Sequence, residues 1–570
     1  MNAEWMQAVV FFAVLLIVGG PLGLYMAGIF DGHSYRLMKP LDMVEKGIYR
    51  LLKTDPNKEM NWKGYSLALL LFNGAGLTML FVLLRLQGIL PLNPSGFSGV
   101  PSDGAFNIAV SFITNTNWQW YGGESTLSLL SQMMGLCVQN FLSAASGMAV
   151  LLVLARGFSR HGTDRVGNFW VDLTRTVLYV LFPLSFVLSI ALIWQGVPQT
   201  LSAPIEVNLL ESAGGVPSVQ NLPLGPVASQ VAIKQLGSNG GGFYNVNSAH
   251  PFENPTPLSN LLQMLSILLI PVAQCFMFGR IIRDQRQGFA LFSAMALIFL
   301  PFFLFCWWAE THPTPVLAKN GVELSTGNLE GKELRFGIMN SALWATATTA
   351  TSNGSVNAMH DSFTPLGGLV PLLLMQLGEV VFGGVGCGLY GMLAFAILTV
   401  FIAGLLVGRT PEYLQKKIGI FEMKMSVLVV LIPPAGILLC TALGVNSKEV
   451  LSGLSNPGPH GFSQILYAFS SMCNNNGSAF AGFGSNTPFV NILGGMAMLV
   501  CRFGLILAIL AMASSLSKAQ KIPVGAGTLP THTPLFISLL IVVILVVGAL
   551  AFFPSLILGP IAEHFLMKGG

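Results

Sequence analysis

Apolar residues run along the chain in long blocks separated by polar stretches. The first block, about Met6 to Phe30, is long enough to cross a bilayer, which takes about 20 residues. It lacks the basic leader and small-residue cleavage pattern of a signal peptide, so it reads as a retained helix. A polar segment, Asp31 to Lys63, follows, and a second span runs from about Gly64 to Leu86. Gln87 to Gly104 is rich in Pro, Gly and Ser and holds no Lys or Arg. Ala105 to Ile113 is apolar but too short to cross, which suits a re-entrant helix. The polar loop Thr114 to Gln119 and a long apolar return ending at Arg156 complete the unit.

The same order of span, polar loop, short helix, glycine- or asparagine-rich loop and span recurs three times. The copies run over about Phe169–Arg286, Phe289–Arg409 and Met425–Lys518, and a lone span, Thr533 to Phe553, closes the chain. The loops at the centre of the repeats are Thr114–Gln119, Leu236–Phe243, Thr351–Val356 and Cys473–Ser478. Aligned on Asn117, Gly240, Gly354 and Gly477, they are spaced by 123, 114 and 123 residues. A near-constant period marks one unit used four times. The chain thus divides into an opening segment (1–63), pore repeats at 64–156, 169–286, 289–409 and 425–518, and a terminal span (533–556). The predicted fold is an all-α polytopic membrane protein. Ten transmembrane helices form four pseudo-repeats of helix, re-entrant pore loop and helix around a central pore.

Composition supports this. The chain is 53% hydrophobic and 9% charged, where a soluble domain carries about 25% charge. A net charge of +4 is too small to suggest nucleic acid, but its placement is informative. One set of segments holds Arg36, Lys39, Lys46, Arg50, Lys53, Lys58, Lys63, Arg156, Arg160 and Arg165. To the same set belong Arg280, Arg283, Arg286, Arg409, Lys416, Lys417, Lys424, Lys518 and Lys521. The opposite loops hold none in Gln87–Gly104 or Gly196–Pro226, then only Lys319, Lys332, Arg335 and Lys448. The positive-inside rule places the first set in the cytoplasm, and the four loops and both termini outside.

Non-helical backbone at membrane depth survives only inside protein or along a wet cavity. Four such loops meeting on one axis would present carbonyl oxygens, which can replace the hydration shell of a monovalent cation. Glycine allows the positive φ that turns carbonyls inward. Asn, Ser and Thr add neutral side-chain oxygens, and the loops contain no carboxylate of the kind a divalent site uses. The competing reading is that they are plain turns between helices. The seven cysteines are scattered singly without CxxC spacing and read as small buried hydrophobes. There is no GxxxxGK[ST] loop, no Asp-Lys-Thr-Gly phosphorylation motif and no HExxH. The chain is therefore not expected to be an enzyme by itself or to need an organic cofactor.

Glu379 and Arg502 lie inside apolar stretches, where an ionisable group is costly unless paired or hydrated. They read as pairing with each other or lining a passage, the alternative being a purely structural ion pair. The run Gly378–Gly391 holds six glycines, among them Gly383, Gly384 and Gly386. That density suggests a broken helix constricting the path below the filter, or else tight helix packing. Arg409, Lys416, Lys417 and Lys424 could bind a partner or anionic lipid heads, or form a plain solvated loop.

Several motifs together carry a family resemblance. They are Thr114-Asn-Thr-Asn-Trp-Gln119, Gln139-Asn-Phe-Leu-Ser-Ala-Ala-Ser-Gly147, Ser238-Asn-Gly-Gly-Gly-Phe243 and His250-Pro-Phe-Glu-Asn-Pro255. To these add Gly378-Glu-Val-Val-Phe-Gly-Gly384, Gly408-Arg-Thr-Pro-Glu-Tyr413 and Asn474-Asn-Asn-Gly-Ser-Ala-Phe480. Over essentially its whole length the chain resembles the potassium-binding subunits of the bacterial Kdp potassium-transporting ATPases (KdpA), in the superfamily of potassium transporters. The resemblance implies an inner-membrane protein with a four-loop K+ filter open to the outer side. It also implies a complex with a separate P-type ATPase subunit and two small subunits, in which K+ passes from the filter through an internal tunnel to the pump.

By position, the filter residues implied are Asn115, Ser238, Ser352 and Asn475, then Thr116, Asn239, Asn353 and Asn476, then Asn117, Gly240, Gly354 and Gly477. Asn353 stands where the family pattern suggests a small residue or cysteine. Asn117 stands where the other loops have glycine, so that wall is expected to differ from the other three. Gln119 reads as a support that hydrogen-bonds the loop, or as an interfacial polar residue beside Trp118. Rival functions are an autonomous K+ channel or symporter of the same fold and, from other classes, an intramembrane enzyme or a scaffold subunit.

Overall fold

The computed structural model describes residues 3–33, 35, 38–210, 219–312, 316, 319–323, 325–523, 525 and 528–569. Arg36, counted among the inner cations, lies outside them. Ten helices among the described residues are long and apolar enough to cross a membrane. Two fall in each repeat, with one at either end of the chain, matching the expected count. The last, Pro534–Lys568, is longer than the pattern suggested and bends at Gly559.

Within every repeat the second span is more buried than the first. The shares are 83% against 28% in the first repeat, 72% against 39% in the second, 56% against 44% in the third and 61% against 39% in the fourth. The return helices therefore form an inner ring, and the leading helices an outer one that shows Leu, Val and Phe to lipid. Hydropathy alone does not separate the two rings, because lipid is as apolar as a core. What distinguishes the inner helices is small residues that allow close approach. Ser143-Ala-Ala-Ser-Gly147 in the first return helix is one such stretch, and all five residues are buried.

Each repeat carries a short buried helix between its spans: Ser102–Ile113, Val227–Leu236, Gly337–Ala350 and Pro459–Asn474. None is long enough to cross. All four end at the loops singled out by the period. In the last three repeats a Thr-Pro pair then restarts the helix. Thr256, Thr364 and Thr487 accept hydrogen bonds from the backbone N–H of Ser259 (3.0 Å), Gly367 (3.1 Å) and Val490 (3.3 Å). The following prolines occupy the first helical turn, where no N–H is needed.

In the third repeat the restarted helix, Pro365–Gln376, stops early, and the chain stays non-helical until Cys387–Val407. This is the broken helix read from the glycine run. Gly378, Glu379, Phe382, Gly383 and Gly386 all take positive φ. A Cβ on Gly383 would overlap Gly388, and one on Gly386 would overlap the Gly147 carbonyl. The break is thus pressed backbone to backbone against the first return helix.

Cations from several parts of the chain converge on one face. Arg156, Arg160, Arg175, Arg280, Arg283 and Lys521 line a single bowl of about 1140 Å³. Lys416 Nζ ties two of the surrounding loops, donating to the Arg160 and Ala519 carbonyls at 2.6 Å each. Lys332, assigned to the opposite side, is fully buried and paired with Glu310 at 2.7 Å.

Candidate ion-binding site

The four short helices deliver their loops to one place. A Cβ built on Gly240 would lie 2.8 Å from the Asn353 carbonyl oxygen and 3.0 Å from that of Asn476. A Cβ on Gly354 would overlap the Asn476 carbonyl, and one on Gly477 the Thr116 carbonyl. Each glycine thus abuts the carbonyl of a neighbouring loop, and no side chain fits between. The twelve residues expected to form the filter (Asn115 to Asn117, Ser238 to Gly240, Ser352 to Gly354 and Asn475 to Gly477) come together, and all but the half-buried Gly477 are buried.

The carbonyls at the second position of the four loops belong to Thr116, Asn239, Asn353 and Asn476. Among the described residues none of the four accepts a hydrogen bond. Buried backbone carbonyls are nearly always paired, so four unpaired ones at equivalent positions set these loops apart from ordinary turns.

Side-chain oxygens behave differently from expectation. Asn353 Oδ1 turns back onto its own loop and accepts from the N–H of Ser355 at 3.0 Å and from its hydroxyl. Asn476 Oδ1 accepts likewise from Ser478 N (3.0 Å) and Oγ (2.6 Å). These amides brace the loops, their oxygens being taken up within the loops themselves.

The odd wall also differs from the one expected. Asn117 adopts φ +55°, in the same region as Gly354 (+83°) and Gly477 (+102°), because asparagine tolerates the left-handed conformation better than most residues. In the second loop it is Gly241, not Gly240, that takes positive φ. Asn117 uses its amide as a strut instead, its Nδ2 donating to the Gly240 carbonyl at 2.9 Å. Asn115 Nδ2 does the same to Ser238 (2.8 Å), and Gln119 Nε2 to Gly242 (3.1 Å). Gln119 also accepts from the Gly242 N–H at 2.9 Å, so it clasps Gly242 by both backbone groups. All three struts join residues 123 apart, the period itself.

Beneath the third and fourth loops lies a cavity of about 50 Å³ lined by Ser352, Glu379, Cys387, Asn474, Asn475 and Arg502, among others. Glu379 accepts a hydrogen bond from Ser352 Oγ, which links the cavity to the filter. Glu379 and Arg502 share this lining but form no ion pair within 4 Å. Of the two arrangements weighed from the sequence, a direct pair or a shared lining, the two side chains make no direct pair and border one cavity. Gly384 packs on Ser352, a built Cβ lying 3.0 Å from the serine Cβ, so the broken segment touches the filter floor directly.

Comparison with known proteins bears on this geometry. Residues 9–565 match the family model described as "Potassium-transporting ATPase A subunit" (KdpA). The chain belongs to that family. A member from Methylococcus capsulatus, named potassium-transporting ATPase potassium-binding subunit, is 57% identical and aligned over 98% of both chains. One from Herpetosiphon aurantiacus with the same name is 58% identical over 99% of each. The crystal structure of the potassium transporter TrkH from Vibrio parahaemolyticus has a similar fold. Its TM-score is 0.50 at 13% identity, covering 89% of this chain and 98% of that one.

In this member of the KdpA family, one feature behind the filter escaped the sequence reading. Lys234, in the second short helix, is buried and meets buried Glu253 at 2.5 Å. Glu253 also accepts from the Tyr244 N–H at 3.0 Å, fixing the exit of the second loop. The available signal was a lone charge in a ten-residue buried helix, together with the glutamate of the His250–Pro255 motif.

Proposed function

We propose that the four loops are a K+ filter and that the chain is the K+-binding and K+-translocating subunit of an ATP-driven uptake complex. The observation that carries this is the set of four unpaired carbonyls, on Thr116, Asn239, Asn353 and Asn476, held at equivalent positions by neutral groups. Such a ring suits a dehydrated monovalent cation. The names of the relatives supply the ion and the ATPase. A separate P-type subunit would hydrolyse ATP, with two small subunits completing the complex. K+ is then the transported cargo, and no organic cofactor is required.

The loops face outward in this reading, both termini lie outside, and the cationic bowl faces the cytoplasm of a bacterial inner membrane. Ions leave the filter on the side of the third loop, where Glu379, Arg502, Gly383, Gly384 and Gly386 form the passage and its constriction. The filter therefore selects, and the broken segment releases toward the partner.

Potassium-stimulated ATPase activity of the co-expressed complex, with Gly240→Asp beside wild type, tests the assignment. A carboxylate among the carbonyls is expected to weaken the preference for K+ over Rb+ or Na+ and to raise the K+ needed for half-stimulation. Unchanged K+ dependence in an assembled complex would show that selection lies elsewhere.

A further inference from the structure

The motif Gln139–Gly147 lies behind the filter, on the first return helix, and the filter itself does not use it. Asn140 and Ser143 stand three residues apart, which places them on one face of that helix. Both are almost fully buried, at 1% and 2% exposed. Their partners are the struts of the first loop. Asn117 Nδ2 donates to Asn140 Oδ1 at 2.5 Å, and Ser143 Oγ donates to Asn115 Oδ1 at 2.7 Å. Asn239 Nδ2 joins the cluster, donating to Asn115 Oδ1 at 2.5 Å and to Ser143 Oγ at 3.4 Å.

An amide nitrogen has two hydrogens. Those of Asn117 are divided between Asn140 behind it and the Gly240 carbonyl ahead of it. Asn115 is held the same way, its oxygen fixed by Ser143 and Asn239 and its nitrogen reaching the Ser238 carbonyl. Each strut is thus pinned at its rear to a rigid helix and at its front to a filter wall. Loosening the rear pin frees the strut to rotate, and the spacing of the first two walls goes with it.

We infer that Asn140 and Ser143 are positioning residues that set the separation of the first and second filter walls and thereby tune the choice between cations of similar size. This rests on the filter reading above. Neither side chain touches the ion; each acts through an asparagine that holds a carbonyl. Among the described residues Ser146, on the same stretch, bonds only the Leu142 carbonyl of its own helix at 2.9 Å, and it provides an internal control.

The test measures K+- and Rb+-stimulated ATPase activity of the whole complex carrying Ser143→Ala, Asn140→Ala, Ser143→Thr or Ser146→Ala, with Gly240→Asp alongside. Ser143→Ala and Asn140→Ala are expected to narrow the K+/Rb+ preference by about 3- to 10-fold, the scale of one lost buried hydrogen bond. Maximal rate should change less than about twofold, since the chemistry is performed elsewhere. Ser143→Thr keeps the hydroxyl and should keep the preference, and Ser146→Ala should match wild type. If Asn140→Ala does not assemble, Ser143→Ala decides, because it removes a single oxygen. An assembled Ser143→Ala complex with wild-type preference overturns the inference. If Gly240→Asp shifts the preference while the helix variants do not, only the positioning role fails; if Gly240→Asp is also silent, the filter reading fails with it.

Discussion

The first two loops and the last two share one sequence pattern, yet they are held by different means. Loops one and two are laced to each other by three parallel struts from Asn115, Asn117 and Gln119, each ending on a backbone carbonyl of the neighbour. Loops three and four are mostly closed on themselves through Asn353 to Ser355 and Asn476 to Ser478. Their mutual ties are fewer: Asn476 Nδ2 to the Thr348 carbonyl at 2.9 Å, and Ser352 Oγ to the Asn474 carbonyl at 3.5 Å. The cavity and the broken helix lie under this second half. In the function proposed above, one half serves as a fixed gauge, while the other combines a wall of the filter with the start of an exit. A shared loop pattern therefore does not imply shared mechanical duty.

The sharpest way to break the comparison is one methyl group in each half. Gly354 takes φ +83°, and a Cβ there would strike the Asn476 backbone, which cannot move without displacing the fourth loop. Gly241 takes φ +74°, but its Cβ would meet the end of the Gln119 side chain at 3.0 Å and the Asn117 carbonyl at 3.3 Å. A strained non-glycine backbone alone costs about 1–3 kcal/mol. Gly354→Ala, with the added backbone clash, is expected to lower K+-stimulated turnover by roughly a hundredfold or more. Gly241→Ala should lose about tenfold. Equal losses in an ATPase assay of the two complexes would mean that both halves are equally rigid.

A finer cut separates selection from release. Gln119→Leu removes the strut to Gly242, worth about 1 kcal/mol for one hydrogen bond. It should raise the K+ required for half-stimulation about fivefold, with little change in maximal rate. Ser352→Ala removes the hydroxyl that joins the third loop to Glu379. It should slow turnover and leave the K+/Rb+ ratio near that of wild type. The reverse assignment of effects, read from the same titrations, would exchange the roles given to the two halves.

The legibility of these features in the sequence follows the same division. Spans, short helices and the four loops were visible because burying backbone in lipid demands long apolar helices, and because the period repeats. The 123-residue period even equals the strut spacing, although nothing in one sequence says that Asn115 points at Ser238. Directions of side chains were not legible. Asn353 and Asn476 look like ion ligands from composition, but a serine two residues on captures each amide. Glu379 and Arg502 could be read as a pair or as the lining of a passage, and the sequence does not choose between them; in the structure both border one cavity. Lys234 and Glu253 were hidden for a related reason: pairing across a fold between residues 19 apart leaves no periodic trace.

The smallest effect tests whether the second half is stiffened from outside. His460, at the mouth of the fourth short helix, donates from both ring nitrogens, to Glu563 at 2.8 Å and Asp361 at 3.0 Å. Its ring stacks on Phe480, which stacks on Tyr467, whose hydroxyl meets Ser478 Oγ at 2.9 Å beside Asn476. Burial alone would lower the histidine pKa, but the hydrogen bonds and charges of Asp361 and Glu563 prevail and raise it from near 6.5 to about 10. A group whose folded-state pKa is raised stabilises fully below its unfolded value and loses that contribution as pH climbs through the folded one. The clip should therefore be at full strength below about pH 6.5, weaken steadily above it and be gone beyond about pH 10. His460→Gln should flatten that part of the pH dependence in thermal unfolding of the complex, and should slightly lower K+ preference through the fourth loop. An unchanged pH slope would show that the fourth loop stands without its outer clip, and that the asymmetry between the halves arises wholly from within the filter.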